Sequence, residues 1–409
     1  MRVTIVTLGG FEAPLDVDPG WTTSRLYEAL GEKDLPGIAL RLLYDDVEIP
    51  ENDTMVESLG LVEGSILTLV RCRMNLGVVV ACNDGTAVLW SATGNEPPQL
   101  LRGSARGIVQ AELSPDGRLV LVTPSVGSLE VWNVSSGTLA QRIEPGRLGG
   151  VGSAVFSPDG RMILMACFDL SAKLWCLQTG ECVQTFRGHS ASVLSSEFSP
   201  EGRRVVTGSQ DWTAKIWSTE TGACLRTLEA HSGDVNTAIF SPCGDFVLTG
   251  SDDGFAKLWS VCRGDCLRSF GSLDARVESV RFSPDAASVL TVSTDGVAKL
   301  WKTESGEQLG LFEAQDAAFS PDSLSVLTRS GGQGAWLWSA HSGQCIRSLV
   351  DRQSMVDVAK FSPDGSFVVT ASKENVVELW RVESGEVLHT LTCGDVNMRS
   401  VAVGWTRQP

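Results

Sequence analysis

Residues 193–228 read VLSSEFSPEGRRVVTGSQDWTAKIWSTETGACLRTL. Four short runs, Val193 to Phe198, Val205 to Ser209, Ala214 to Trp217 and Ala223 to Leu228, are rich in Val, Ile, Thr and Leu. Turn chemistry separates them. In Ser199-Pro200-Glu201-Gly202, Pro presets φ at the second turn position and Gly closes the turn. Thr221-Gly222 marks another turn. Short runs split by Gly, Pro and Asp predict strands of an all-β architecture.

The same unit recurs along most of the chain. A hydrophobe followed by Trp appears at Trp90, Trp132, Trp175, Trp217, Trp259, Trp301, Trp338 and Trp380, at gaps of 42, 43, 42, 42, 42, 37 and 42. A Ser-Pro turn precedes each Trp after the first, from Ser114-Pro115 to Ser362-Pro363. One four-stranded sheet cannot bury both of its faces. Stacking such sheets radially buries them, so the period predicts a repeat array.

These residues resemble the WD-repeat β-propellers, over residues 76–409. The Asp that usually follows the family's Trp is replaced here by Ser, Asn, Cys, Lys or Arg. The first unit, Gly77 to Leu101, supplies only the later strands of a blade, and Val396 to Trp405 reads as a first strand. The two fragments complete one sheet, which predicts eight blades, with seven as the alternative, closed by pairing of the chain ends and leaving no free edge. The resemblance implies two buried tetrads, His189, Ser209, Asp211, Trp217 and His231, Ser251, Asp253, Trp259, in which Asp accepts from His, His bonds Ser, and Ser bonds the indole. A Ser-His-Asp set invites a hydrolase reading. Repetition 42 residues later and the lack of a G-x-S-x-G elbow argue for a structural ladder instead. Elsewhere the His slot holds Ser104, Arg147, Leu273, Gly310 or Arg352. Cys182, Cys224, Cys266 and Cys345 each follow their Trp by seven residues and read as small buried hydrophobes of the fourth strand. Trp212 departs from the pattern. It follows Asp211 in a turn where other units have Gly, Leu or Asn. An exposed Trp at a propeller rim is a candidate binding hot spot, and packing against a neighbouring loop is the alternative.

Residues 1–73 lack the repeat. Arg2 to Thr7 and Glu12 to Val17 read as a hairpin around Gly9-Gly10. Thr22 is a helix N-cap, and Leu26 and Leu30 form one apolar helical face. Leu40 to Tyr44 and Ser65 to Arg71 complete a ββαββ, α+β roll. This segment resembles ubiquitin, a β-grasp fold, through Val3 to Gly10, Leu15 to Pro19, Arg41 to Tyr44, Leu59 to Leu61 and Gly64 to Val70. It departs from ubiquitin in running through Arg71-Cys72-Arg73-Met74-Asn75 instead of ending in Gly-Gly, and in having Lys33 as its one lysine. Conjugation and chain building are therefore not expected. The resemblance implies a recognition patch at Leu8, Leu43 and Val70, with Thr68 in place of a histidine.

The chain has 409 residues, net charge −16 and 11 cysteines. The charge disfavours a nucleic-acid binder. No apolar run of membrane-spanning length and no leader is read, and an odd number of cysteines suits reduced thiols inside the cell, cytoplasmic or nuclear. No C-x-x-C pair, phosphate loop, nucleophile–base pair or metal set is present, so no catalytic residue, cofactor or metal is expected. Residues 1–75 carry 6 basic and 13 acidic residues, and the remainder 27 and 36. The small domain is the more acidic per residue, with a compact turn at Asp45, Asp46 and Glu48. The leading expectation is a non-catalytic adaptor. Its propeller would hold proteins and its ubiquitin-like domain would dock a ubiquitin receptor or the proteasome. The alternative is a ribosome-biogenesis assembly factor whose small domain is engaged by an AAA-type ATPase through a carboxylate.

Overall fold

The computed structural model describes the chain apart from residues 1, 8–11, 31–37, 45–46, 50–55, 83, 92–96, 104–105, 146–149, 272–274, 331–333, 350–354, 393–397 and 408–409. The chain divides into two compact units, 1–76 with 405–409, and 77–404.

The small unit is a mixed sheet with one helix. Its elements are β1 (Arg2–Thr7), β2 (Glu12–Asp16), α1 (Thr23–Ala29), β3 (Ile38–Tyr44), β4 (Val47–Ile49) and β5 (Ile66–Cys82). Strand order is β2-β1-β5-β3-β4. β1 pairs with β2 antiparallel and with β5 parallel, Thr4 opposite Ile66. A parallel pair needs a long crossover, and the segment with α1 supplies it. The Thr22 side chain accepts from Arg25 N at 3.4 Å, as an N-cap should. Val3, Ile5, Leu26, Leu42, Leu67 and Leu69 meet in one core. The short β4 was absent from the sequence reading. The last strand does not end near Arg71 but runs unbroken to Cys82.

The large unit is built from four-stranded antiparallel sheets. Sheet two spans residues 106–143, three 151–187, four 193–229, five 235–271, six 277–313, seven 316–348 and eight 356–392. β5 also pairs with β6 (Thr86–Ser91), β6 with β7 (Gln99–Arg102), and the last strand, Met398–Arg407, pairs with β5. We call that set sheet one. Apolar clusters fill the space between successive sheets. Val206, Ile216 and Leu228 of sheet four meet Val235, Phe240 and Val247 of sheet five. Trp217 and Trp259 are fully buried.

The Ser-Pro turns explain their own sequence. Ser199 Oγ accepts from Arg204 N at 3.0 Å, and Gly202 N donates back to Ser199 O at 2.8 Å. Gly202 has φ of 71°, and Ala286 and Ser323 hold the same left-handed position in sheets six and seven.

The 37-residue spacing also has a local cause. Two residues, 314–315, join sheets six and seven, whereas five, 230–234, join sheets four and five. The first strand of sheet seven is four residues long instead of six. The differences of three and two make up the five missing residues. Gly310 therefore sits inside the last strand of sheet six, not in a His slot.

Cys182, Cys224, Cys266 and Cys345 are exposed, contrary to the buried reading. Each opens the outermost strand of its sheet, opposite the partner Trp, where no further sheet covers it. No helix is long and apolar enough to cross a membrane among the described residues.

Candidate interaction surface

Two buried hydrogen-bonded chains link Asp, His and Trp, but not through the expected serines. His189 Nδ1 lies 2.7 Å from Asp211 Oδ2, and its Nε2 lies 2.7 Å from Thr207 Oγ1. Trp217 Nε1 donates to the same Thr207 oxygen at 2.9 Å. His231, Asp253, Thr249 and Trp259 repeat the arrangement at the same distances. The hydroxyl member is thus Thr207 or Thr249, not Ser209 or Ser251. Strand geometry gives the reason. Residues two apart share a face, and Thr207 pairs with Lys215, two residues before Trp217, while Ser209 stands at the strand end. Ser209 instead accepts from Asp211 N at 3.1 Å and donates to Ala191 O at 3.2 Å, bracing the turn.

The geometry fits the Nδ1–H tautomer. The indole N–H donates to Thr207, the Thr207 O–H faces Nε2 at 2.7 Å and the Lys215 carbonyl at 3.4 Å, and Nδ1–H donates to Asp211. His189 is then neutral with both ring nitrogens used, and Thr207 is buried. This is a structural chain with no nucleophile facing solvent. Three further indoles use a Thr ten residues before them: Trp301 with Thr291, Trp338 with Thr328 and Trp380 with Thr370. In sheet three that place holds Met165, and Trp175 Nε1 has no hydrogen-bond partner.

Burial pushes the His189 and His231 imidazoles below their ordinary value, against the pull of Asp211 and Asp253. Burial alone would raise the Asp211 carboxyl, but hydrogen bonds from Thr213, Ser190 N and His189 outweigh it and hold the group below its usual range. Groups with depressed folded values stabilise above their unfolded values and lose that contribution as pH falls. The stability difference between the wild type and a His189→Gln, His231→Gln variant should therefore be largest at pH 7. It should shrink as pH falls below 6.5, the ordinary imidazole value. Denaturant unfolding at pH 7, 6 and 5 checks it.

The turn after this Asp, or after Glu374 in sheet eight, is where the sheets differ at the surface. Gly85, Gly254 and Gly296 occupy the slot with φ of 89°, 85° and 78°, and Asn375 with 63°. Leu170 and Trp212 hold it with φ of 67° and 69°. The left-handed region costs a side-chain-bearing residue about 1–2 kcal/mol. Both are also exposed, Trp212 to 52%. Phe168, two residues before Leu170, is exposed as well. In each sheet a backbone bond ties this turn to the residue just before that sheet's first strand. Phe168 N donates to Gly150 O, and Gln210 N to Ser192 O. Ser192 Oγ reaches Phe168 O at 3.5 Å. Phe168 and Leu170 of sheet three and Trp212 of sheet four are thus exposed apolar residues at the same strand end of these neighbouring sheets. Beyond them, Gln210 Nε2 donates to Asp234 Oδ2 at 3.3 Å, and Arg276 pairs with Asp252 at 3.1 Å. Sequence reading singled out Trp212 and missed Phe168 and Leu170. The aligned slot after Asp169, Asp211, Asp253 and Asp295 was the available signal.

Of the expected patch on the small unit, Leu43 is half-buried on β3, opposite Thr68 of β5 and Glu48 of β4. Leu8 lies outside the described residues, as do Asp45 and Asp46. Val70 is a β5 residue whose side chain is not described. Among the described residues no group of three His, Cys, Asp or Glu could hold a metal ion.

Five segments, 141–176, 180–218, 222–260, 264–302 and 343–381, match the family WD domain, G-beta repeat. Each match begins near the outer strand of one sheet and ends after the third strand of the next, so the sequence repeat straddles two sheets. Together with the repeated four-stranded sheets, they support a WD-repeat protein. Repeats of this kind mark a protein-interaction scaffold. Among solved structures, the crystal structure of the computationally designed Ika8 protein is similar at 23% identity and a TM-score of 0.63, over 72% of this chain and 89% of that one. That likeness speaks to fold alone. No curated protein matches the chain.

Proposed function

We propose that this protein is a non-catalytic adaptor of the ubiquitin–proteasome pathway, working inside the cell. The eight sheets close into a ring of eight blades, with Met398–Arg407 completing the sheet that β5, β6 and β7 begin. The exposed residues Phe168, Leu170 and Trp212 dock a partner protein. The observation that carries this is Trp212, where backbone strain and solvent exposure coincide on one large apolar side chain. Strain of that kind persists where function requires it. An exposed Trp is a common interface anchor.

The small unit serves as a ubiquitin-like domain. Its strand order β2-β1-β5-β3-β4 with one crossover helix supports that reading. It presents Leu8, Leu43 and Val70 to a ubiquitin-type receptor. Titration of the intact protein with a proteasomal ubiquitin-receptor domain tests this. Saturable binding is expected, and a Leu8→Ala, Leu43→Ala, Val70→Ala variant should bind at least about tenfold more weakly, the effect of losing roughly 1.4 kcal/mol. Absence of binding by the wild type would remove the ubiquitin-pathway half of the proposal and leave the rim untouched.

A further inference from the structure

The Ser-Pro turns lie at the opposite ends of the strands from Trp212. In sheet four Val193 pairs with Ser209 at one end and Phe198 with Val205 at the other. At that second end a cavity of about 540 Å³ opens among sheets two to six. Exposed prolines frame it, Pro115, Pro158, Pro200 and Pro242. Its walls include Phe156, Phe198, Phe240 and Phe282.

The residue just before the last residue of each first strand decides the charge inside. In sheets two, four and six these residues are Glu112, Glu197 and Arg281, all lining the cavity. Val155 and Ile239 stand between them on sheets three and five. The same place holds Ala318 in sheet seven and Lys360 in sheet eight. Charge therefore alternates with apolar residues, acidic on one side and basic on the other.

Among the described residues neither carboxylate is in a salt bridge, and Lys360 and Arg281 act on Glu112 and Glu197 only at longer range. Arg281 is already engaged with Asp316 of sheet seven at 3.3 Å and with the Ala317 carbonyl at 3.0 Å. Glu112 Oε1 accepts one long bond, 3.4 Å, from Phe156 N. Glu197 remains partly accessible as a residue, but its Oε2 is shut from solvent and has no hydrogen-bond partner. A buried carboxylate oxygen without a donor is costly.

We propose that this cavity receives one cationic side chain, the guanidinium or ammonium group of a partner protein's arginine or lysine, held between Glu197 and Glu112. The apolar walls suit the methylene stem of such a side chain. The net charge of −16 draws a basic partner toward the molecule. This site stands apart from the rim at Trp212 and does not rest on the ubiquitin-pathway reading.

Proton coupling follows. Burial pushes the Glu197 carboxyl up to about 8, opposed by the Phe240 amide and Arg281 and aided by the charge of Glu112. Burial likewise raises Glu112 to about 7, opposed by the Phe156 amide and Lys360. Burial lowers the Lys360 ammonium, and Arg281 adds to that. Near neutrality Glu197 is therefore mostly protonated and Glu112 partly so, and an entering cation must displace those protons.

The test uses the intact protein and three probes, Nα-acetyl-arginine amide, Nα-acetyl-lysine amide and the neutral Nα-acetyl-norleucine amide, titrated by NMR at pH 6.5 and pH 8.5. Saturable binding of a cationic amide is expected, tighter at pH 8.5 on the order of tenfold because Glu197 must ionise first. Glu197→Gln should weaken it about tenfold or more and flatten the pH dependence. Glu112→Gln gives an independent reading from the other side of the cavity, and thermal unfolding of each variant confirms the fold. Equal binding of the norleucine amide, an unchanged affinity and pH profile in Glu197→Gln, or no saturable binding of either cationic amide would overturn the proposal.

Discussion

Thr207→Val should destabilise the large unit by about 2–6 kcal/mol, whereas Ser209→Ala should cost only about 1 kcal/mol. The reasoning is a count of orphaned groups. Thr207 Oγ1 accepts from the Trp217 indole at 2.9 Å and faces His189 Nε2 at 2.7 Å. Valine keeps the shape and removes both bonds, along with the longer one to the Lys215 carbonyl at 3.4 Å. It leaves a buried donor and a buried acceptor unpaired, each costing about 1–3 kcal/mol. Ser209 loses one bond to a carbonyl and one from a turn amide, near a surface where water can replace them. Denaturant unfolding of the two variants decides the matter. A larger loss in Ser209→Ala would show that the hydroxyl assignment is wrong.

Trp212→Gly should separate stability from binding. Glycine relieves a left-handed position that costs a larger residue about 1–2 kcal/mol, offset in part by its greater freedom in the unfolded chain. Stability should hold or rise by up to about 1 kcal/mol. The same change deletes the exposed indole. If Trp212 anchors a partner, its loss should cost about 2 kcal/mol or more, roughly thirtyfold in affinity. A destabilised variant would instead show that Trp212 packs on its neighbours.

Much of this was legible before any coordinates. The Trp spacing and Ser-Pro turns gave the four-stranded unit because each turn demands its own residues, and the strands between them have no room to be anything else. The short unit before Trp338 was visible as a number, but its cause, a trimmed connection and a trimmed strand, needed the strand ends. The tetrad hydroxyl was misplaced because Ser209 and Thr207 share a face, and pattern alone does not say which lies beside the indole. The answer was nonetheless written ten residues before five of the tryptophans, at Thr207, Thr249, Thr291, Thr328 and Thr370. Exposure of Cys182 and its equivalents depends on the outer strand having no neighbour, a tertiary fact. Leu170 and Phe168 escaped notice because a single exposed hydrophobe is unremarkable in sequence. Their meaning comes from lying at the same strand end as Trp212 in the neighbouring sheet. Glu112 and Glu197 looked like ordinary strand residues until the first strands were set side by side.

The central claim is that this scaffold carries a partner-binding rim at Trp212 and a separate docking surface on its small unit. The most direct measurement is capture from lysate with intact wild type, Trp212→Gly, the Leu8→Ala, Leu43→Ala, Val70→Ala variant and an Asp45→Asn, Asp46→Asn, Glu48→Gln variant, followed by mass spectrometry. Two distinct losses are expected, one set of proteins shed by Trp212→Gly and ubiquitin-pathway proteins shed by the apolar triple variant. Full retention of partners by both of those folded variants, with an ATPase or pre-ribosomal proteins lost from the acidic variant instead, would contradict it.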